Sequence, residues 1–584
     1  MKRLEKIIEY LRQAALGARN IHFFRINNFP RLFRSFSELE KKILLVAVTA
    51  IAVCGAFLVT QSYLSGTKTF PDFGGKYVEG LVGQPRFINP VLAPANSVDM
   101  DLSRVVYSGV LKFDADQKLA PDLAEGLPEL SADQKQYTVH LRREVFWHDG
   151  QKFSADDVIF TIQLISDPAF GSPLRLNWNK VEVQKIDDYT FIATLKEPYA
   201  AFPVNLTLGV LPKHIWEGTD AGNFALSKFN LQPIGTGPFK IKGLSKTEEG
   251  VRSIALEAFN NYHLGRPFLD DLEFKFFSSY DDLISAYHSR AVMGLGYIPF
   301  DKKIYVEKSS NISQHLLNLP QYQALFFNTN KSPVLRDKNV RAALAESLNR
   351  QAIIDEVYLT AAQAAYGPIP EGYLGHNTAV EKIHPYDLEH AKKLLDEAGF
   401  KTQEGSSVLK KGDVSLEFTI VTNNFLLNEK TAEFLKKQWE AIGFKVNLQI
   451  LTIGELEQNV LRPREYEALL FSENIGGDPD PLPFWHSTQR GEAGLNLAMF
   501  NNKEADTLLT EGRSNADSQY REKRYQRFEE ILANELPAIF LVNPRYVYGV
   551  SSKVGGIELN NIVSQSERFL DIHKWFVKTK RVKK

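Results

Sequence analysis

From Leu388 onward the chain alternates helix-spaced and strand-spaced apolar residues across short joins, and few folds accept that pattern. Ala391, Leu394, Leu395 and Ala398 share one helical face, and Gly399 stops the helix. Leu416, Phe418 and Ile420 alternate as a strand. Ala432, Leu435, Trp439 and Ile442 then mark a helix ending at Gly443. Val446, Leu448 and Ile450 form the next strand, and residues 466–471 another. Strand, helix and strand with short joins predict parallel pairing through right-handed crossovers, so the class is α/β.

The stretch 322–355 repeats this grammar. Ala324-Leu325-Phe326-Phe327 is a short apolar run, Asn328-Thr329-Asn330 stops it, and Ser332-Pro333 extends the loop. Asp337 offers an N-cap oxygen to a helix whose apolar positions are Val340, Ala343, Leu344, Leu348 and Ile353. Ligands of α/β proteins gather at such carboxyl ends of strands. Tyr322, Phe326 and Asn328 are therefore candidate ligand contacts, one alternating set facing the core and the other the cleft.

A chain of 584 residues exceeds one hydrophobic core, so several lobes are expected. The single cysteine, Cys54, excludes an intramolecular disulfide and any multi-cysteine metal site. Net charge is −1, unevenly spread: residues 1–42 hold ten Lys/Arg and four Asp/Glu, leaving the rest with 59 bases against 66 acids. A mildly acidic body argues against nucleic acid as a partner.

Leu4, Ile7, Ile8 and Leu11 mark an amphipathic face, and Asn27-Asn28-Phe29-Pro30 breaks it. Ser35-Phe36-Ser37-Glu38 reads as a capping box opening a second helix, which runs into the uncharged apolar residues 43–58 and fades by Leu64. Three readings compete: a single-pass anchor, a lipoprotein signal ending at Cys54, and a buried core helix. Val53 is bulky where a lipoprotein signal prefers a small residue, and apolar residues continue past Cys54. The anchor is favoured, and the basic N-terminal flank then puts residues 1–42 in the cytoplasm and the body outside.

After a Gly-rich linker, residues 74–82 read as a first strand and Gln84–Pro90 as a loop in which Ile88-Asn89-Pro90 stands out. In residues 102–168, Tyr137, Val139 and Leu141 alternate as a strand, His148-Asp149-Gly150 is a turn, and Ser154-Ala155-Asp156-Asp157 is a second capping box. Pro121-Asp122-Leu123-Ala124-Glu125, Asp149-Gly150, Ala155-Asp156-Asp157-Val158, Gly235-Thr236-Gly237-Pro238-Phe239, Asn328-Thr329-Asn330 with the helix after it, and the run 386–395 together resemble family 5 of the extracellular solute-binding proteins. These are the peptide, dipeptide and nickel receptors of ABC importers. The likeness covers about residues 74–575.

The resemblance implies a two-lobe α/β fold of the periplasmic-binding-protein kind (type II, with an extra subdomain), preceded by one N-terminal transmembrane helix. It divides the chain into a cytoplasmic arm 1–42, an anchor 43–64, a first lobe 65–112 with subdomain 113–232 and continuation 233–320, a second lobe 321–543, and a return strand and basic tail 544–584. It implies a monomeric, non-enzymatic receptor of peptides or other small solutes that delivers them to an ABC permease and its ATPase subunits. It implies no cofactor, metal or nucleic acid. Nickel chelates and oligosaccharides are bound by relatives, and a non-transport sensor or chaperone-like protein is the alternative class.

The residues themselves show no catalytic constellation. No His-Glu-x-x-His or Gly-x-Ser-x-Gly occurs, and His384 and His390, six apart, lack metal-ligand spacing on one helical face. Pro238 removes an amide from Gly235-Thr236-Gly237, so that turn is not a phosphate loop. Asp114-x-Asp116 has Lys118 where a calcium ligand belongs and reads as a turn. One polar cluster stands apart: residues 473–485, with Asp478 and Asp480 in a Pro/Gly-rich loop and Phe484 and Trp485 after it. In peptide-binding relatives an aspartate here pairs with the ligand's α-amino group. If Asp480-Pro481 fixes the register, Gly477 occupies that aspartate's place; if Asp478 is that aspartate, a deletion follows it. Asp478, Asp480 and Trp485 complete the candidate ligand set, with Trp485 as a wall or a lid.

Overall fold

The computed structural model describes residues 37–307 and 311–583. The amphipathic segment 4–11, the break at 27–30 and the Ser35 end of the first capping box lie outside the described residues. The described residues fall into two compact units.

The first unit holds the helix Glu38–Gly66, which buries none of its residues and is long and apolar enough to cross a membrane. At 1.5 Å per residue it measures about 43 Å, against a hydrocarbon core of about 30 Å. Its cap lies two residues beyond the expected box: the Ser37 hydroxyl accepts from the Glu40 amide, and Glu40 accepts the Ser37 amide at 2.8 Å. The strand Thr67–Asp72 follows without a linker and pairs with the terminal strand Lys578–Lys583.

The second unit, Pro71–Lys578, is built on a twelve-stranded sheet. In chain order its main strands are β1 (Lys76–Val82), β2 (Phe239–Thr247), β3 (Gly250–Ala258), β4 (Asp271–Phe277), β5 (Gly294–Leu295), β6 (Ile312–Asn318), β7 (Gln321–Phe327), β8 (Ala362–Ala364), β9 (Glu417–Asn423), β10 (Lys445–Leu451), β11 (Ala468–Asn474) and β12 (Ala538–Ser551). The order across the sheet is β10-β9-β11-β7-β12-β5-β1-β4-β3-β2, with β6 and β8 also on β12. β9 and β10 pair in parallel across a short helical join, as expected, and β1 and β4 also pair in parallel, with β2 and β3 between them in the chain.

β12 organises the sheet. Its first half pairs with β7 and its second half with β6 and β5. β6 and β7 are joined through Leu319 and Pro320, so the chain passes between the two halves of the sheet twice, side by side, near 318–321 and 543–545. β7 is buried on both faces. Tyr322, Ala324 and Phe326 enter a cluster with Trp485, Phe528 and Phe540, while Leu325 and Phe327 enter another with Leu344, Phe418 and Trp439. A strand covered on both sides reads as an unbroken apolar run, which is what the sequence shows there.

A smaller four-stranded sheet (Glu129–Leu130, Gln136–His140, Thr190–Leu195, Val181–Asp187) shares a third core with β1 and β4 around Tyr77, Trp147, Phe274 and Trp575. The Ser154–Asp157 capping box opens the helix Ala155–Ser166 as expected. The Gly235-Thr236-Gly237 turn packs on the backbone of Val106: Gly237 donates its amide to the Val106 carbonyl at 2.8 Å, and a Cβ on Gly235 would stand 1.9 Å from that oxygen. Asp114 accepts the amides of Asp116 and Lys118, a plain turn. The strand expected over 466–471 runs Ala468–Asn474; Tyr466 lies just outside it, its phenol donating to the Leu497 carbonyl.

Candidate functional site

Where the chain crosses twice, the sheet cannot pack without a gap. A cavity of about 410 Å³ lies there, walled by Leu319, Gln321, Pro544 and Arg545 of the crossings and by Asp101, Tyr297 and Tyr546. A more apolar space of about 970 Å³ shares the walls Val82, Tyr280, Tyr297, Phe300 and Leu427 with it, so the two are adjacent. Apolar walls with a few placed polar groups are what small-ligand clefts usually show.

Behind the Asp101 wall the charges are fully buried. Arg568 grips both oxygens of Asp101 at 2.8 and 2.6 Å and reaches Glu79 at 3.4 Å. Tyr77 donates to Glu79, and Tyr548 does so at 3.3 Å. Burial pushes the Glu79 carboxyl up to about 7, with Arg568 opposing, and raises Asp101 as well. The tyrosine hydroxyls and the guanidinium satisfy groups that would otherwise be costly to bury.

The aspartate loop borders a second cavity of about 410 Å³, faced by Tyr199, Phe202 and Asn205 on one side and by Gly476, Gly477 and Asp478 on the other. Asp478 is gripped by both terminal nitrogens of Arg521, one of them at 2.9 Å. Asp480 is 6% exposed; its Oδ1 accepts the Leu482 amide at 3.2 Å and its Oδ2 accepts no hydrogen bond among the described residues. Arg513 stands 3.5 Å from Asp480 with its guanidinium over the Tyr199 ring. Burial raises the Asp480 pKa, with Arg513 opposing. Gly477 sits against Phe113, where a Cβ would come within 2.4 Å of the ring, so no aspartate fits there without movement. Of the two carboxylates, Asp478 lines the cavity and Asp480 lies behind it.

The strand residues named from sequence are placed deeper. Phe326 packs on Trp485 at 6.0 Å between ring centroids, and both are buried. Trp485 donates its indole N–H to the Tyr322 hydroxyl at 3.3 Å, and Tyr322 donates to Glu473. Glu473, buried, has its carboxyl pushed up to about 8 and lines a third cavity of about 600 Å³. Asn328, at the far end of β7, donates to the Arg464 carbonyl at 2.9 Å and is buried. The structure thus brings Tyr322, Phe326 and Trp485 together as one packed group, sets Asp478 and Asp480 together as another, and leaves Asn328 apart. Glu473, Arg513, Arg521 and Arg568 were not among the candidates. Lone arginines carry no motif, and their partners lie 33 to 489 positions away in the chain.

The third cavity carries a further feature. Four consecutive residues of β11, Phe471 to Asn474, line it. Side chains of a strand alternate between faces, so consecutive residues line a space when the backbone edge faces it. β9 pairs with β11 at Ala468 and Leu469, which leaves that edge without a ladder partner beyond them among the described residues.

Comparison with known proteins adds the rest. The model of the bacterial extracellular solute-binding proteins, family 5, matches residues 118–494. The oligopeptide-binding protein AppA of Bacillus subtilis is 27% identical over 553 residues, 93% of this chain and 99% of that one. Its structure with a nonapeptide superposes with a TM-score of 0.66 at 26% identity, covering 87% of this chain and all of that one. NikZ of Campylobacter jejuni in complex with Ni(L-His) superposes with a TM-score of 0.67 at 26% identity, covering 86% of this chain and 99% of that one.

Proposed function

The chain belongs to the bacterial extracellular solute-binding proteins, family 5, and from that premise we propose that it is a membrane-tethered receptor that binds peptides and hands them to an ABC permease. The observation that carries the peptide reading is the free edge of β11. An extended peptide laid along Phe471–Asn474 adds a strand, gains main-chain hydrogen bonds, and leaves its side chains to loose pockets. The relative crystallised with a nonapeptide supports the same class of ligand. The Asp478 carboxylate faces the neighbouring cavity and receives the peptide's ammonium beside Arg521, in a charge-assisted hydrogen bond. Tyr322, Phe326 and Trp485 act as the floor that holds β11 and Glu473 in place, and Asn328 fixes the end of β7.

The paired crossings near 318–321 and 543–545 serve as the hinge on which two lobes close, and ligand shifts the population to the closed form. The helix Glu38–Gly66 is the tether, with the body outside the plasma membrane.

Calorimetric titration with a peptide series tests the reading. Varied side chains should be tolerated, whereas N-methylation of a single central amide should cost at least about tenfold in affinity. A protein that takes the nickel–histidine complex and ignores every peptide, or that loses nothing on N-methylation, contradicts it.

A further inference from the structure

The strand pair beside the N-terminal helix lines none of the cavities described above. Residues 60–72 and 575–584 contain six bases, Lys68, Lys578, Lys580, Arg581, Lys583 and Lys584, against one acid, Asp72, the last residue of the first strand. Within the first unit, Arg581 fixes the terminal strand to the helix end. It donates to the Thr67 hydroxyl at 2.9 Å and to the Leu64 carbonyl at 3.2 Å, and its guanidinium lies 5.9 Å from the Tyr63 ring. Lys68 and Lys583 are exposed.

We propose that this strand pair is a docking surface for the anionic phospholipid headgroups around the outer end of the helix. The inference rests on the tether reading. Three observations carry it. The helix passes into the strand at Gly66–Thr67 with no linker, so the strand begins where a spanning helix leaves the hydrocarbon. Tyr63, half in the open, sits at the level where interfacial aromatics anchor spans. The bases stand within a few residues of that level, inside the Debye length over which a negative surface attracts them. Lys68 follows Thr67 directly and Lys583 lies two positions beyond Arg581, both exposed.

The test uses the full chain in nanodiscs of phosphatidylcholine, with or without phosphatidylglycerol. A fluorophore on Thr579→Cys, in a Cys54→Ser background, reports quenching by headgroup-spin-labelled lipid. Quenching should be several-fold stronger in the anionic discs. It should fall to the neutral level in high salt, and also when Lys68→Glu and Lys583→Glu are combined. If that pair shifts the melting temperature, Lys68→Gln with Lys583→Gln and the salt series decide. Equal quenching in both discs at either salt overturns the inference. Alkaline carbonate extraction separates the two failures. A chain that washes off contradicts the tether itself, whereas a chain that stays embedded without lipid dependence contradicts the headgroup contact alone.

Discussion

Asp478 illustrates how much one residue's meaning depends on its partner. Read alone, it is an acid in a Pro/Gly loop; in the fold it is locked to Arg521, which is buried. Asp478→Ala therefore does two things. It leaves a buried guanidinium unpaired, at a cost of about 3–5 kcal/mol, and it removes the proposed ammonium partner. N-acetylated peptides separate them: affinity for free-amino peptides should fall at least about tenfold while acetylated ones are unaffected, and an equal loss for both would assign Asp478 a structural role only. Glu473 gives a second residue-scale prediction. Its carboxyl titrates near about 4.3 when unfolded and about 8 when folded. Between those values the folded state holds the extra proton, so stability declines as pH rises across that window. Thermal melting of Glu473→Gln should show a flatter decline over the same window, and an unchanged slope would contradict the assignment. His390 carries the same sign, because Glu346 raises its pKa. The stability it adds is complete below the unfolded value near about 6.5 and is lost as pH rises through the folded one.

Elements were far more legible than the site. The helices opening at Ser154 and Asp337 and the strands around Tyr137, Phe418 and Val446 follow from spacing and caps, because each depends on neighbours a few residues away; the helix from Asp337 nevertheless stops at Glu346, and Ile353 falls in a second helix, Arg350–Glu356, capped by Asn349. The strand expected over 466–471 starts two residues later and ends three later, at Asn474, where its pairing with β7 ends, a limit that local periodicity does not carry. The Asp478–Arg521 and Asp101–Arg568 pairs, 43 and 467 positions apart, left no local trace at all. Tyr322, Phe326 and Trp485 were legible as apolar, yet periodicity alone could not say that both faces of β7 are covered, which buries all three. At this scale the Gly235 turn is the most exposed to test. Its approach to the Val106 carbonyl leaves no room for a methyl group, so Gly235→Ala should cost about 2 kcal/mol or more in chemical denaturation. A variant of unchanged midpoint would show that the turn yields.

For the whole molecule, the twelve-stranded sheet is continuous through β12 yet is assembled from two halves that the chain links side by side near 318–321 and 543–545. That construction leaves a cavity beside the crossings, and the proposed hinge turns on them. Its ligand-free and liganded forms should therefore differ in shape, not merely in mobility. Small-angle scattering of the protein with and without a saturating peptide, run beside calorimetry on the same sample, measures this most directly. The account predicts a smaller radius of gyration with peptide bound; superimposable curves under calorimetric saturation would contradict it.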